Sequence, residues 1–184
     1  MIHWSVGLLI WVLGVTAVVA VASFLTFRSW RRFAKTARGK QGKALLRTGP
    51  DTPLDALFNP LEASHPGQNG VLGLFDPRKA FATRAFSAQM AGRSLDLIYY
   101  IWRTDMTGWM LVADLLAAAD RGVRIRLLLD DVNVQGFDPA FLALSQHPQI
   151  EVRLFNPTRH RGHAFRRGLE MLLGLTRFNR RMHC

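Results

Sequence analysis

Hydrophobic residues follow two patterns along the chain. From Trp4 to Phe27 they are continuous, and WSVGLLIWVLGVTAVVAVASFLTF runs 24 residues without a charge. A helix of that length reaches roughly 36 Å, enough to cross a hydrocarbon layer of about 30 Å with some tilt. Trp4 and Trp30 bracket the run, where amphipathic rings favour the membrane–water interface. A cleaved signal peptide is the rival reading, and Ala20-Val21-Ala22 offers a small-x-small site. Against it, Met1-Ile2-His3 supplies no Lys or Arg, and the run exceeds a typical signal core. A buried helix seldom stays apolar on every face for so long. The pattern predicts an uncleaved, single-pass anchor.

Beyond residue 70 the apolar positions become periodic. Asp76-Pro77 is a helix start, with Asp as N-cap and Pro at the first helical position; Phe81, Ala85 and Ala88 give the stripe and Gly92 closes it. LDLIYYIW, from Leu95 to Trp102, reads as a strand. A helix follows over Thr107 to Arg121, with Trp109, Val112, Ala113 and Leu116 on one face and Gly122 at its end. VRIRLLLD, Val123 to Asp130, is a second strand, and Asp138-Pro139 opens a short helix that stops before Pro148. Ile150 to Phe155 is a third strand, and Phe165, Leu169, Leu172, Leu173 and Thr176 mark a last helix. The order α-β-α-β-α-β-α predicts a three-layer α/β domain with a parallel or mixed sheet and right-handed crossovers. Near-continuous apolar strands predict a sheet covered on both faces.

Residues 48–70 are rich in Pro, Gly, Asn and small polar residues, and read as linker and loop with one short helix around Leu54–Leu57. The expected organisation is therefore an anchor over 1–30, a basic juxtamembrane segment and linker over 31–70, and a domain over 71–184.

Charge sharpens this division. The net charge of +11 is concentrated at two places. Residues 28–47 hold eight Lys and Arg and no acid, and residues 158–184 hold seven Arg and only Glu170. The stretch 51–157 has nine basic and twelve acidic residues and is net acidic, which disfavours a polyanion groove and hence nucleic acid as partner. No Lys or Arg precedes the apolar run and eight follow it, so the positive-inside bias puts the C-terminal domain in the cytoplasm. The same collar would be drawn to an anionic phospholipid membrane by about 1 kcal/mol per residue near the surface. Cys184 is the sole cysteine, so neither an internal disulfide nor a cysteine zinc cluster can form. Nothing in the sequence speaks to oligomeric state.

Several residues invite a chemical role. Asp130 and Asp131 end a strand, where sites in open α/β sheets gather, although turn caps and ion pairs account for such aspartates more often. Tyr99, Tyr100 and Trp102 could line a pocket, but aromatics in an apolar strand more often belong to the core. Arg159-His160-Arg161-Gly162-His163 could contact phosphate, or simply be a solvated basic loop. His160, His163 and His183 lack the carboxylate or thiolate spacing of a metal site.

Taken together, YYIW, GVRIRLLLDD, EVRLFNP and NRRMH, lying within Arg93–Asp138, His147–Gly162 and Asn179–His183, carry a resemblance. In that order and spacing they resemble the N-terminal half of bacterial phospholipase D-like proteins, close to the cardiolipin synthase branch, over roughly residues 51–183. The resemblance implies a phospholipase D-like sandwich in which each half carries a His-x-Lys-x-x-x-x-Asp motif, two motifs meeting in one site. One histidine attacks phosphorus to form a phosphohistidine, and the other acts as general acid and base. The lysines stabilise the developing charge, and neither metal nor cofactor is required. It also implies a phospholipid substrate and residence in the bacterial inner membrane.

His183 falls on the histidine of the first motif. The motif lysine and aspartate would fall at positions 185 and 190, beyond Cys184, which itself stands where the family commonly has Asn. The expectation is thus an enzyme fragment, truncated inside its first motif and inactive alone. A non-catalytic membrane protein or pseudoenzyme, or a phosphodiesterase or nuclease of the same superfamily, are the alternatives.

Overall fold

A computed structural model of the chain describes residues 2–37, 39, 41–46 and 48–173. The chain divides after Lys43 into two units. The first is dominated by one helix, α1, Ile2–Ala37, of 36 residues. It is long and apolar enough to cross a membrane over Val6–Ala37, by length and composition. Its hydroxyls do not break the helix, because Thr16 and Thr26 donate to the carbonyls of Val12 and Ala22, each at 2.8 Å. At the basic end, the Arg28 and Arg31 guanidinium groups lie over the Phe24 and Phe27 rings, at 5.8 and 5.7 Å.

The second unit is mixed α/β. It holds α2 (Pro53–Ser64), α3 (Pro77–Met90), β1 (Ser94–Tyr99), α4 (Met106–Asp120), β2 (Arg124–Asp130), a 3₁₀ turn over Asp131–Val134, α5 (Asp138–Leu144), β3 (Ile150–Phe155) and α6 (Ala164–Leu173). The three strands form one parallel sheet in the order β1-β2-β3.

Helix α2 occupies much of the stretch read as linker and loop. It begins with a capping box: the Asp55 amide donates to the Thr52 hydroxyl at 3.2 Å, and the Thr52 amide donates to the Asp55 carboxylate at 2.7 Å. Arg93, just before β1, then ties the box to the sheet by donating to Asp55 at 2.6 Å and to the Pro50 carbonyl at 2.8 Å. The approach is close enough that a Cβ on Gly92 would lie 2.7 Å from the Thr52 methyl. Proline and small polar residues suggested a loop here, whereas Thr52-Pro53-Leu54-Asp55 is a cap that one long-range ion pair secures.

Asp76 caps α3 as expected, accepting the Arg78 amide at 2.8 Å. The far end of α3 is closed by Arg121, whose guanidinium donates to the Ala88 and Gln89 carbonyls, each at 2.9 Å. Asp105 caps α4 by accepting the Gly108 amide at 3.0 Å. Gly122 follows α4 at φ +90°, a backbone region that side-chain-bearing residues avoid.

The core lies on one face of the sheet. Ile125, Leu127 and Leu129 of β2 point into it and are essentially solvent-free, joined by Leu111, Leu115, Ala118 and Ala119 of α4. This corrects the expected stripe on α4. Trp109 is half-exposed and Ala113 is exposed, while the neighbouring stripe at i, i+4, i+7 and i+8 is buried. A helix reading MLVADLLAAA is apolar nearly all round, so periodicity does not select the face. The opposite face mixes apolar and charged residues: Arg126 donates to its cross-strand neighbour Asp96 at 2.6 Å and sits opposite Glu151 of β3. That pairing holds the Asp96 carboxyl below the ordinary carboxylate range. Ile98, on the same face, is half-exposed. Among the described residues, this face is only partly covered, where the sequence predicted a sheet covered on both faces.

Candidate functional site

All three strands run the same way, so the segments that leave them gather at one end of the sheet. These are residues 100–105 after β1, the 3₁₀ turn after β2, and residues 156–163 after β3. In open α/β sheets this carboxyl end is where ligands bind.

Of the aromatic residues there, Trp102 belongs to the core and Tyr99 packs against it. Trp102 is buried, with its ring edge-to-face on Tyr99 at 5.0 Å and on Phe141 at 5.9 Å. Tyr100 is partly buried. Asp130 is a turn cap, accepting the Val132 amide at 2.9 Å.

Asp131 is different. It is fully buried. One carboxylate oxygen accepts the Thr158 amide at 2.9 Å and the Thr158 hydroxyl at 2.6 Å. Arg167, the buried arginine of α6, reaches the same oxygen at 3.5 Å, the Asp131 carbonyl at 3.0 Å and the Thr158 hydroxyl at 3.1 Å. Arg161 forms an ion pair with the second oxygen of Asp131 and also donates to Asp138 at 2.9 and 3.0 Å. Burial, and then the neighbouring Arg167, pull the Arg161 pKa below its usual value. One carboxylate thus holds two guanidinium groups and a backbone amide, and stitches β2, the 156–163 loop and α6 together.

The basic loop has a second clasp. The Glu170 carboxylate accepts the backbone amides of Arg159 (3.0 Å) and His160 (3.2 Å), and its oxygen lies 3.2 Å from His160 Nδ1. The loop is held by acids on both sides, with Arg159, Gly162 and His163 still exposed. Asn156 turns the chain out of β3 with a left-handed φ of 51°, a conformation Asn tolerates well.

Asp131 and Arg161 are therefore brought together, with Thr158 and Arg167 as partners that periodicity did not single out. A charged residue on an amphipathic helix ordinarily reads as outward-facing. In α6 the reverse holds, because Arg167 and Glu170 turn inward while Phe165, Leu169 and Leu172 are exposed. His183 lies outside the described residues. Among the described residues, no three His, Cys, Asp or Glu side chains are grouped so as to hold a metal. By itself the Asp131 cluster is a neutralising, positioning arrangement, with every ionised group engaged by an opposite charge.

No family model matches the chain. Over 124 residues it is 51% identical to cardiolipin synthase C of Escherichia coli (strain K12), a stretch amounting to 67% of this chain and 26% of that protein. An uncharacterized protein of Helicobacter pylori (strain ATCC 700392 / 26695) is 33% identical over 132 residues, 72% of this chain and 26% of that one. The chain thus spans about a quarter of the length of these curated relatives. Its relation to a cardiolipin synthase is plain at that identity. Among solved structures it is similar to TrmBL2, an archaeal chromatin protein, at 17% identity and a TM-score of 0.38, covering 57% of this chain and 42% of that one. A likeness that slight carries no argument.

Proposed function

We propose that this chain is the front portion of a membrane-anchored phospholipase D-like phosphatidyltransferase of the cardiolipin synthase kind. The 51% identity to a cardiolipin synthase over two-thirds of the chain carries the reading. The apolar α1 and the basic collar that follows it fit attachment to a bacterial inner membrane with the α/β unit on the cytoplasmic side. Net acidity across 51–157 favours a phospholipid over a nucleic acid as the phosphodiester.

In this reading His183 is the imidazole of the first His-x-Lys-x-x-x-x-Asp motif. Phosphatidyl transfer through a covalent enzyme needs a neutral imidazole to attack phosphorus. It also needs a proton donor for the departing alkoxide and cations on the non-bridging oxygens. As the bond from nitrogen to phosphorus forms, the bond from phosphorus to the leaving oxygen breaks, and that oxygen takes its proton from a second imidazole. An acceptor alcohol then reverses the sequence. The Asp131 cluster serves as support. It fixes the exit from β3 and the start of α6, the segment that leads on toward His183.

One imidazole supplies only part of this apparatus, so residues 1–184 reconstituted in vesicles with phosphatidylglycerol are expected to form no cardiolipin. Formation that disappears in His183→Ala would contradict that expectation. DNA beyond codon 184 is expected to encode, in frame, a lysine at position 185 and an aspartate at 190. A stop, or other residues at those two positions, would remove the motif and with it the proposal.

A further inference from the structure

Helix α1 does not stop where its apolar run stops. The run ends at Phe27, and the helix continues to Ala37. The Lys and Arg of this continuation are Arg28, Arg31, Arg32 and Lys35, the i, i+3, i+4, i+7 spacing of a single helical face. Trp30, Phe33, Ala34 and Ala37 repeat that spacing on the opposite side. A charge signal that only orients a span needs cations after it, not cations on one side of a helix. The helix is unbroken through this stretch, where the Thr36 hydroxyl donates to the Arg32 carbonyl at 3.1 Å.

The two cations nearest the apolar run are held in place. Arg28 lies over the Phe24 ring and Arg31 over the Phe27 ring, each one turn back toward the apolar residues. A guanidinium lying over a ring keeps the N–H donors of its edge for the paired oxygens of a phosphate. Arg28, Arg31, Arg32 and Lys35 are all exposed, and among the described residues none of them pairs with an acid. In the α/β unit, by contrast, Arg93, Arg126, Arg161 and Arg167 each meet a carboxylate. From Arg28 to Arg32 the helix rises about 6 Å, which matches a headgroup layer about 5–8 Å deep outside the hydrocarbon core. With Phe27 at the edge of that core, Arg28, Arg31 and Arg32 fall at the depth of the phosphates, and Lys35 reaches back to it along its flexible stem.

We infer that this face of α1 is a binding site for the phosphodiester headgroup of an anionic phospholipid, gripped by Arg28 and Arg31 with Arg32 and Lys35 beside them. The inference rests on α1 being the membrane anchor of the proposed function, and goes further. Attraction spread over the whole basic stretch 28–47 is indifferent to which cations remain, whereas a clasp on one helical face is not. Adjacent turns of one helix then meet acyl chain, through Phe24 and Phe27, and phosphate. A lipid bound there is a neighbour of the anchor, separate from any lipid undergoing reaction.

The test is electron paramagnetic resonance of the full chain in phosphatidylcholine vesicles carrying a trace of spin-labelled phosphatidylglycerol or spin-labelled phosphatidylcholine. The motionally restricted fraction of each label reports lipid held against the protein, and the ratio of the two is the selectivity. The parent is expected to favour phosphatidylglycerol by about threefold or more, and Arg28→Gln, Arg31→Gln, Arg32→Gln and Lys35→Gln together should bring the ratio to about one. Arg38→Gln, Lys40→Gln, Lys43→Gln and Arg47→Gln remove the same charge outside the face and should leave most of the selectivity. Arg28→Lys with Arg31→Lys keeps the charge but not the planar fork, and should lower the ratio by about half or more. Circular dichroism checks that each variant keeps its helix content. Equal loss in the two fourfold variants would overturn the inference, as would full selectivity in the lysine variant or none in the parent. A ratio that collapses when inorganic phosphate replaces chloride at constant ionic strength would mean that the site takes the free ion, and would overturn it too. Release of the parent from vesicles by alkaline carbonate would remove the anchor and the inference together, whereas a retained chain without selectivity removes the inference alone.

Discussion

Replacing Asp131 by Asn tests the cluster that ties β2 to α6. The substitution preserves shape and retains an oxygen that can accept from Thr158, which donates its amide at 2.9 Å and its hydroxyl at 2.6 Å. What it removes is the charge facing Arg167 and Arg161. Arg167 is only 3% exposed and pairs with no other carboxylate among the described residues, whereas Arg161 keeps Asp138. Removing one partner of a buried pair costs about 3–5 kcal/mol, because an uncompensated charge stays behind. At about 2 kcal/mol per molar urea, the unfolding midpoint of the α/β unit should fall by about 1.5–2.5 M. That is a large share of a typical stability of about 5–15 kcal/mol. The assay is urea unfolding of the detergent-solubilised chain, followed by the fluorescence of tryptophan, of which Trp102 is buried in the affected core. Asp131→Asn combined with Arg167→Met should cost less than Asp131→Asn alone, since the stranded cation is gone. A loss under about 0.5 kcal/mol for Asp131→Asn, or strict additivity in the double variant, would refute the reasoning.

Two further perturbations probe other parts of the structure. Leu115→Ala removes a side chain with no solvent exposure and should destabilise by about 2–5 kcal/mol, whereas Ala113→Ser on the exposed stripe of α4 should stay within about 0.5 kcal/mol; equal losses would mean the wrong stripe faces the sheet. The Thr52 amide and then the Thr52 hydroxyl, with help from Arg93, lower the Asp55 pKa from 3.8 to about 2. The carboxylate therefore supports α2 fully above pH 3.8 and loses that support as pH falls toward 2. Amide exchange in α2 should accelerate across that window in the parent and be flat in Asp55→Asn, and an unchanged parent profile would contradict the capping role.

Much of the α/β unit is readable in the sequence because its signals are local. LDLIYYIW, VRIRLLLD and IEVRLF are apolar runs too short for helices, and Asp76-Pro77 states a helix start outright. What escaped depends on partners far along the chain. Helix α2 is marked by Thr52 and Asp55, but its attachment rests on Arg93, 38 residues beyond Asp55. Which stripe of α4 turns inward depends on the sheet it meets. Likewise, nothing local distinguishes the buried Arg167 from its neighbour Arg166. The inward turn follows from Asp131, 36 residues earlier, and from Thr158. Asp130 and Asp131 look equivalent as letters and both are buried, yet one caps a turn and the other is the centre of a charge cluster. The role given to His183 rests on the NRRMH resemblance alone.

Phosphatidyl transfer that depends on His183 is the central expectation. The direct measurement is cardiolipin formation from phosphatidylglycerol by the product of the reading frame carried past codon 184, reconstituted in vesicles. The account predicts synthesis by the parent and its loss, by two or more orders of magnitude, in His183→Ala, roughly what removal of a nucleophile or acid–base imidazole costs. Undiminished synthesis by His183→Ala, or none by the parent, would contradict it.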